Sequence, residues 1–293
     1  MNARWIRRLW ANGPGRFGLI VVAIVAVVAL VSLFYTPFDP RQTDVANRWV
    51  GPSWPHLLGT DATGRDILSL LMAGARTTVV VAVGAGLIAT LLGLALASLG
   101  ALTSRWVRES VAVLVDSLIA FPVLLIAMMI SAVFGGSLWV VVISVGIGFG
   151  VSVARVTRPE LRRVLHSDFV LAARAAGLTP PQVLVHHLLP GVAPVFIVQL
   201  SWGMAVAVLA EAGLSFLGFG APVTDASWGL LLGELAGFIT VHPLSVLWPG
   251  LAITLTVLGL NLLGDGLREA TDPTLSSGAR RRTPRTPVPA VTA

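Results

Sequence analysis

Leu171 to Pro190 reads LAARAAGLTPPQVLVHHLLP, with an Arg, a Gly, a Pro pair and two His set between long apolar segments. It divides into two helical pieces. Asp168 to Ala176 (DFVLAARAA) favours helix on balance of propensity, with Asp168 as N-cap and Gly177 as a left-handed C-cap. Pro180 or Pro181 then opens the second piece, PQVLVHHLLP. Its apolar residues lie almost all round, so it should re-enter protein or the membrane interface and leave the first helix exposed. Ala172, Ala173, Ala175 and Ala176 would let another protein's groove approach the backbone, and Arg174 would supply an orienting ion pair. An ordinary interfacial loop helix fits the same residues equally well.

The flanks decide the class. Of the 293 residues, 55% are hydrophobic and 12% charged, and the mean hydropathy is +0.86, so a water-soluble surface is hard to assemble from this chain. A membrane-spanning helix needs about 20 apolar residues for a core of about 30 Å. Six segments qualify: Phe17 to Tyr35, then spans within Thr77 to Ser104, Ser110 to Phe134, Leu138 to Thr157, Ala193 to Leu217, and Leu244 to Leu263. The first is longer than a signal-peptide core and lacks a small-x-small cleavage site, which favours a retained anchor. The expected divisions are an N-terminal segment 1–16, a first span 17–35, a loop 36–76, a core 77–271 containing a coupling loop 155–192, and a disordered tail 272–293.

All 20 basic residues are Arg, so the chain cannot supply the Lys of a Walker A loop. Sixteen of the 20 fall on one side if the N-terminus is cytoplasmic; Arg41, Arg48, Arg65 and Arg76 fall on the other, in one long loop. The positive-inside rule therefore puts both termini in the cytoplasm. The net charge of +6 sits beside apolar segments, which suits membrane lipid and not nucleic acid. With no Cys there is no disulfide framework or thiolate metal site. Adjacent His186 and His187 point about 100° apart on a helix and do not chelate one ion. GIGFG (Gly146 to Gly150) lies inside an apolar span, where small-residue helix packing explains it better than a phosphate loop. No Ser/His/Asp set or GxSxG motif marks a hydrolase.

Two charged residues lie within spans, where each would be costly against lipid. Asp116, about two turns before Pro122, suits a structural or gating pair as well as solute contact. Glu211 should face the bundle interior or a translocation path, as a structural partner or as a gate. Asp265, Arg268 and Asp272, after the last expected span, suit solvated or locally paired surface charges.

The run Ala172, Ala173, Gly177, followed after a fixed gap by His187, Leu189 and Pro190, resembles the cytoplasmic EAA loop of ABC-importer permeases, whose short helix couples the spans to an ATPase. Leu171 stands where the motif usually opens with Glu, which removes any salt bridge that Glu would make. HLLGTDATGRDILSLLMAGART (His56 to Thr77), LSFLGFG (Leu214 to Gly220), SWG (Ser227 to Gly229) and PGLAITLTVLGLNLLGDGLREATDP (Pro249 to Pro273) resemble the dipeptide/oligopeptide/nickel permease family, dipeptide-permease C type. These matches cover residues 56 to 273 in order.

The resemblance implies an all-α polytopic protein of the type I importer permease fold, in a bacterial inner membrane. It would be a non-catalytic subunit forming half of a path for di- or oligopeptides, or alternatively for nickel or another small solute. Implied partners are a second, similar permease in a heterodimer, two cytoplasmic ATP-binding subunits that hold ATP and Mg, and an extracytoplasmic binding protein; this chain itself binds no cofactor. The coupling helix would comprise Ala172, Ala173, Arg174, Ala176 and Gly177, supported by His187, Leu189 and Pro190. GTDATGRD would contact the binding protein or the partner permease. A passive channel and a membrane scaffold are the readings from other classes.

Overall fold

The computed structural model describes residues 4–222 and 224–271. Eleven helices account for most of them: α1 (Arg4–Ala11), α2 (Gly13–Ser32), α3 (Ile67–Leu102), α4 (Arg105–Ile119), α5 (Val123–Phe134), α6 (Leu138–Leu165), α7 (Asp168–Ala175), α8 (Pro180–Val183), α9 (Leu189–Phe216), α10 (Trp228–Ala236) and α11 (Pro243–Thr271). A π-helical turn, Leu184–Leu188, joins α8 to α9. Among the described residues no strand forms beyond one bridge, between Thr60 and Asp66.

Five of these helices are long and apolar enough to span a membrane, in α2, α3, α6, α9 and α11. The third expected span, within Ser110 to Phe134, is broken: α4 and α5 meet at a bend of 77°. Pro122 lacks an N–H and holds Ala120 to Pro122 out of a continuous helix, so α5 starts anew behind it. The tail expected at 272–293 lies outside the described residues.

Three helices outrun the expected spans. α3 begins at Ile67, ten residues inside the expected loop 36–76, because the Asp66 side chain caps it by accepting from the Ser69 N–H and because Arg76, near the helix start, donates to Ser32 Oγ at 2.7 Å. α6 continues past Thr157 to Leu165, so that Arg158, Arg162 and Arg163 lie on the same helix as the apolar run. α11 runs through Gly264-Asp265-Gly266 and does not end there. Gly264 packs against Ser201 of α9 and Gly266 against Gly15 of α2, so the small residues serve helix contact and Asp265 lies within the helix.

α9 is the central element, packed by α3, α6, α10 and α11, while α2 lies along α11 and α3. The main core joins Val81 and Ala85 of α3, Ala127 of α5, Val141, Val142 and Val145 of α6, and Ala207, Ala210 and Leu214 of α9. Small side chains dominate it, letting helices approach without strong apolar segregation from lipid. Gly146 and Gly150 take part as expected for helix packing: they face Ile88 and Leu92 of α3.

Candidate functional site

At one end of the bundle the chain between α6 and α9 forms a hairpin. Asp168 is not the N-cap; Ser167 holds that position with extended backbone, and its Oγ donates to the Val164 carbonyl at 2.6 Å, while Asp168 lies in the first helical turn where its charge suits the helix dipole. The other end of α7 closes in a Schellman motif. Gly177 sits at φ +89°, its N–H donates to the Arg174 carbonyl at 2.9 Å, and the Leu178 N–H donates to the Ala173 carbonyl at 3.2 Å. Thr179 then precedes α8, with the Gln182 Oε1 accepting from its N–H at 2.8 Å and from its hydroxyl at 3.0 Å, the glutamine half of a capping box.

One apolar anchor seats this hairpin. Val170 is fully buried with Val183, Leu188 and Val192 against Ala97 and Ala101 of α3 and Leu161, Val164 and Leu165 of α6. The rest of α7 points outward: Ala172, Arg174, Ala176 and Gly177 are exposed, Ala173 is half-buried, and Phe169 and Leu171 are more than half exposed. His187 packs its ring against Phe169, centroids 6.1 Å apart, while His186 Nδ1 meets the Gln182 carbonyl at 3.0 Å. Leu189 and Pro190 open α9. The second piece is thus only partly re-entrant: Val183 and Leu188 are buried, Val185 is exposed.

Glu211 is enclosed, 1% exposed, and ties two elements together. Its Oε1 accepts from Ser215 Oγ of its own helix and from Ser227 Oγ, both at 2.7 Å; Ser227 in turn caps α10 by accepting from the Gly229 and Leu230 N–H groups. The carboxylate fixes the α10 hairpin on α9. Asp116 is 65% exposed at its side chain and 3.9 Å from Arg155 Nε, too open and too long for a strong pair. The two line a cleft of about 540 Å³ with Arg158 and Arg162.

At the opposite end, Gly59 to Asp66 folds on itself. Asp61 accepts from the Thr63 N–H and hydroxyl, the Arg65 N–H and Arg65 Nε, between 2.7 and 2.9 Å. Asp66 accepts from the Ser69 N–H and hydroxyl and meets His56 Nδ1 at 3.0 Å. Thr60, Asp61 and Asp66 are buried, so these side chains organise the loop and offer nothing to an outside surface. Arg65 reaches across to Glu234 of α10. Burial pulls its guanidinium down, but the Asp61 and Glu234 carboxylates outweigh that and hold it above its ordinary range. Trp49 stacks on His242 at 3.9 Å, tying the loop to the start of α11. Between loop, α3 and α10 lies a cavity of about 1260 Å³ edged by Arg41, Arg65, Arg76, Asp225 and Glu234.

A third feature escapes a reading that weighs charged intramembrane residues alone. Gln199 and Trp202 of α9, Ser152 of α6, and Asn261 and Asp265 of α11 converge on a recess of about 540 Å³. Lone polar residues in apolar spans are the signal that would find it.

The chain matches the family of binding-protein-dependent transport system inner membrane components over residues 89–277. It is 35% identical over 260 residues to the dipeptide transport system permease protein DppC of Alkalihalophilus pseudofirmus, covering 89% of this chain and 86% of that one. It is 33% identical over 275 residues to the nickel transport system permease protein NikC of Escherichia coli K12, covering 94% and 96%. A putative peptide permease of Brucella suis is 32% identical over 273 residues, covering 92% and 90%. The hairpin between α6 and α9 falls within the family match, and the chain belongs to the dipeptide/oligopeptide/nickel branch of the ABC-importer permeases, as a multi-pass membrane component.

Proposed function

We propose that this chain forms half of the path of an ATP-driven importer for di- or oligopeptides and receives its driving force through α7. The observation that carries the reading is the exposed helix α7, closed at its C-terminus by the Schellman turn. Its outward residues Ala172, Ala173, Arg174, Ala176 and Gly177 offer small contacts and one cation, while Val170 fastens it to α3, α6 and α9. A push on such a knob moves span ends as a unit, because Val170 is packed into one core with residues of α3, α6 and α9.

In this reading both termini are cytoplasmic, α7 docks on one of two ATP-binding subunits that hold the nucleotide and Mg, and a second, similar permease faces the exposed side of α9. An extracytoplasmic binding protein delivers solute to the end bearing the Gly59 to Asp66 loop. His187, Leu189 and Pro190 support the hairpin from behind. The peptide class is favoured over nickel by the first relatives' names, and the nickel permease's 33% identity keeps a nickel chelate as the second reading.

The test is ATP hydrolysis by the complete transporter in liposomes with its binding protein loaded with dipeptide or with a nickel chelate. Stimulation by the dipeptide form, abolished by Ala173→Asp, is expected. Stimulation by nickel chelate alone selects the second reading. Solute flux that survives Ala173→Asp and needs no ATP makes the chain a passive channel.

A further inference from the structure

α9 is packed by the long helices α3, α6 and α11 and by the short α10, yet keeps one face uncovered. Trp202, Leu209 and Phe216 are 50%, 57% and 44% exposed, seven residues apart, and so lie on one stripe. The recess of about 540 Å³ opens on this stripe at Trp202, between α6 and α11. Gln199 lies ten residues into α9, about 15 Å from its start, and Asp265 six residues before the end of α11, about 9 Å. The recess therefore lies along these helices, in the half next to the α7 hairpin.

Its polar groups are unengaged. Among the described residues no hydrogen bond or ion pair holds the side chain of Gln199, Asn261 or Asp265. A carboxylate and two carboxamides facing lipid without partners would be costly, and intramembrane groups of this kind face protein interior or water. Glu211, further along α9, shows the alternative: the Ser215 and Ser227 hydroxyls clamp its carboxylate. The three groups of the recess have no such clamp: Asp265 is exposed, and Gln199 and Asn261 are half-buried and open to the recess.

The chemistry of the recess selects a ligand. Asp265 offers a negative charge to an ammonium group. Each carboxamide offers an acceptor and two donors, the complement of a peptide bond's N–H and C=O whatever the side chains. The Trp202 indole adds an apolar, cation-tolerant wall. The recess holds no imidazole, the ligand type that suits nickel. Building on the importer reading above, we propose that this recess is a station on the translocation path, where Asp265 holds the protonated amino end of a short peptide and Gln199 and Asn261 hold its first peptide bond.

The chain has no cysteine, so Val156→Cys or Ser152→Cys, at lining positions that hold no part of the peptide, gives it a single thiol. In the complete transporter, in its inward-facing resting state, a membrane-impermeant sulfonated maleimide should label either thiol from the α7 side. Dialanine at several times its Kd should slow labelling about fivefold. N-acetyl-dialanine should not, and adding Asp265→Asn should abolish the protection. Labelling only by a lipid-soluble maleimide at both positions overturns the proposal, as does equal protection by the two peptides or protection that survives Asp265→Asn. If the unsubstituted complex shows no ATP stimulation by peptide-loaded binding protein, the importer reading itself fails, separately from the recess.

Discussion

The loop before α3 and the hairpin after α6 solve the same problem, a tight reversal at a membrane face, in opposite ways. Each turns on a glycine with positive φ, Gly64 at +82° and Gly177 at +89°. In the loop, Asp61 and Asp66 are buried and their oxygens are occupied by backbone and side-chain donors. In the hairpin, backbone bonds and the Gln182 side chain on Thr179 do the closing, and the outward side chains are left unengaged. A conspicuous polar motif can thus be a folding device, while a plain run of alanines is what remains free for a partner.

The sharpest break of this comparison is Gly64→Ala against Gly177→Ala. Both force a Cβ into the left-handed region, at about 1 to 2 kcal/mol. At Gly64 the new Cβ would also overlap the Asp44 carbonyl oxygen, a backbone atom that cannot swing away, whereas at Gly177 it meets nothing within 4 Å. We expect Gly64→Ala to cost about 4 kcal/mol or more, the range of exceptional substitutions, and Gly177→Ala to stay near the lower figure. Denaturation midpoints of the purified complex compare them; equal losses would refute the distinction between a crowded and an open turn. Next in size, Asp61→Ala leaves the Arg65 guanidinium with Glu234 alone and frees two backbone N–H groups, costing about 3 kcal/mol by the same midpoints.

The fold was legible because a span needs only length and apolarity, and both are local. Helix ends were less so. Arg76, Gly264 and Gly266 look like terminators, yet Ser32 receives the first and Ser201 and Gly15 pack on the others, contacts between residues far apart in sequence. Pro122 is visible in the sequence, but the 77° turn it permits depends on how α5 packs on α6. The C-terminal turn of α7 was legible because caps are short-range and Gly177 suits a left-handed position, whereas the N-cap expected at Asp168 falls one residue earlier, at Ser167. Selecting intramembrane charges finds Asp116 and Glu211, of which one is exposed and the other clamped, and passes over Gln199 and Asn261, whose meaning lies in three helices converging.

A smaller effect separates shape from charge within the hairpin. Gln182→Ala removes the acceptor for the Thr179 N–H and hydroxyl and should cost about 1 kcal/mol. If α7 must be rigid to transmit force, ATP hydrolysis should become less dependent on loaded binding protein while the complex still assembles. A stability loss with unchanged coupling would show that the cap serves folding alone.

The smallest expected change is at Arg174. Its side chain is exposed, so Arg174→Ala should alter stability by no more than about 0.5 kcal/mol. An exposed ion pair with a docked subunit is worth about 0.2 to 1 kcal/mol, which corresponds to a weakening of about 1.4- to 5-fold in docking. Ala173→Asp, by contrast, puts a charge between helix and groove and should abolish docking. The ratio of the two, measured as ATPase-subunit affinity for the permease pair, distinguishes a knob recognised by its shape from one recognised by its charge. A loss at Arg174→Ala as deep as that at Ala173→Asp would mean that charge, and not the small-residue face, governs the dock.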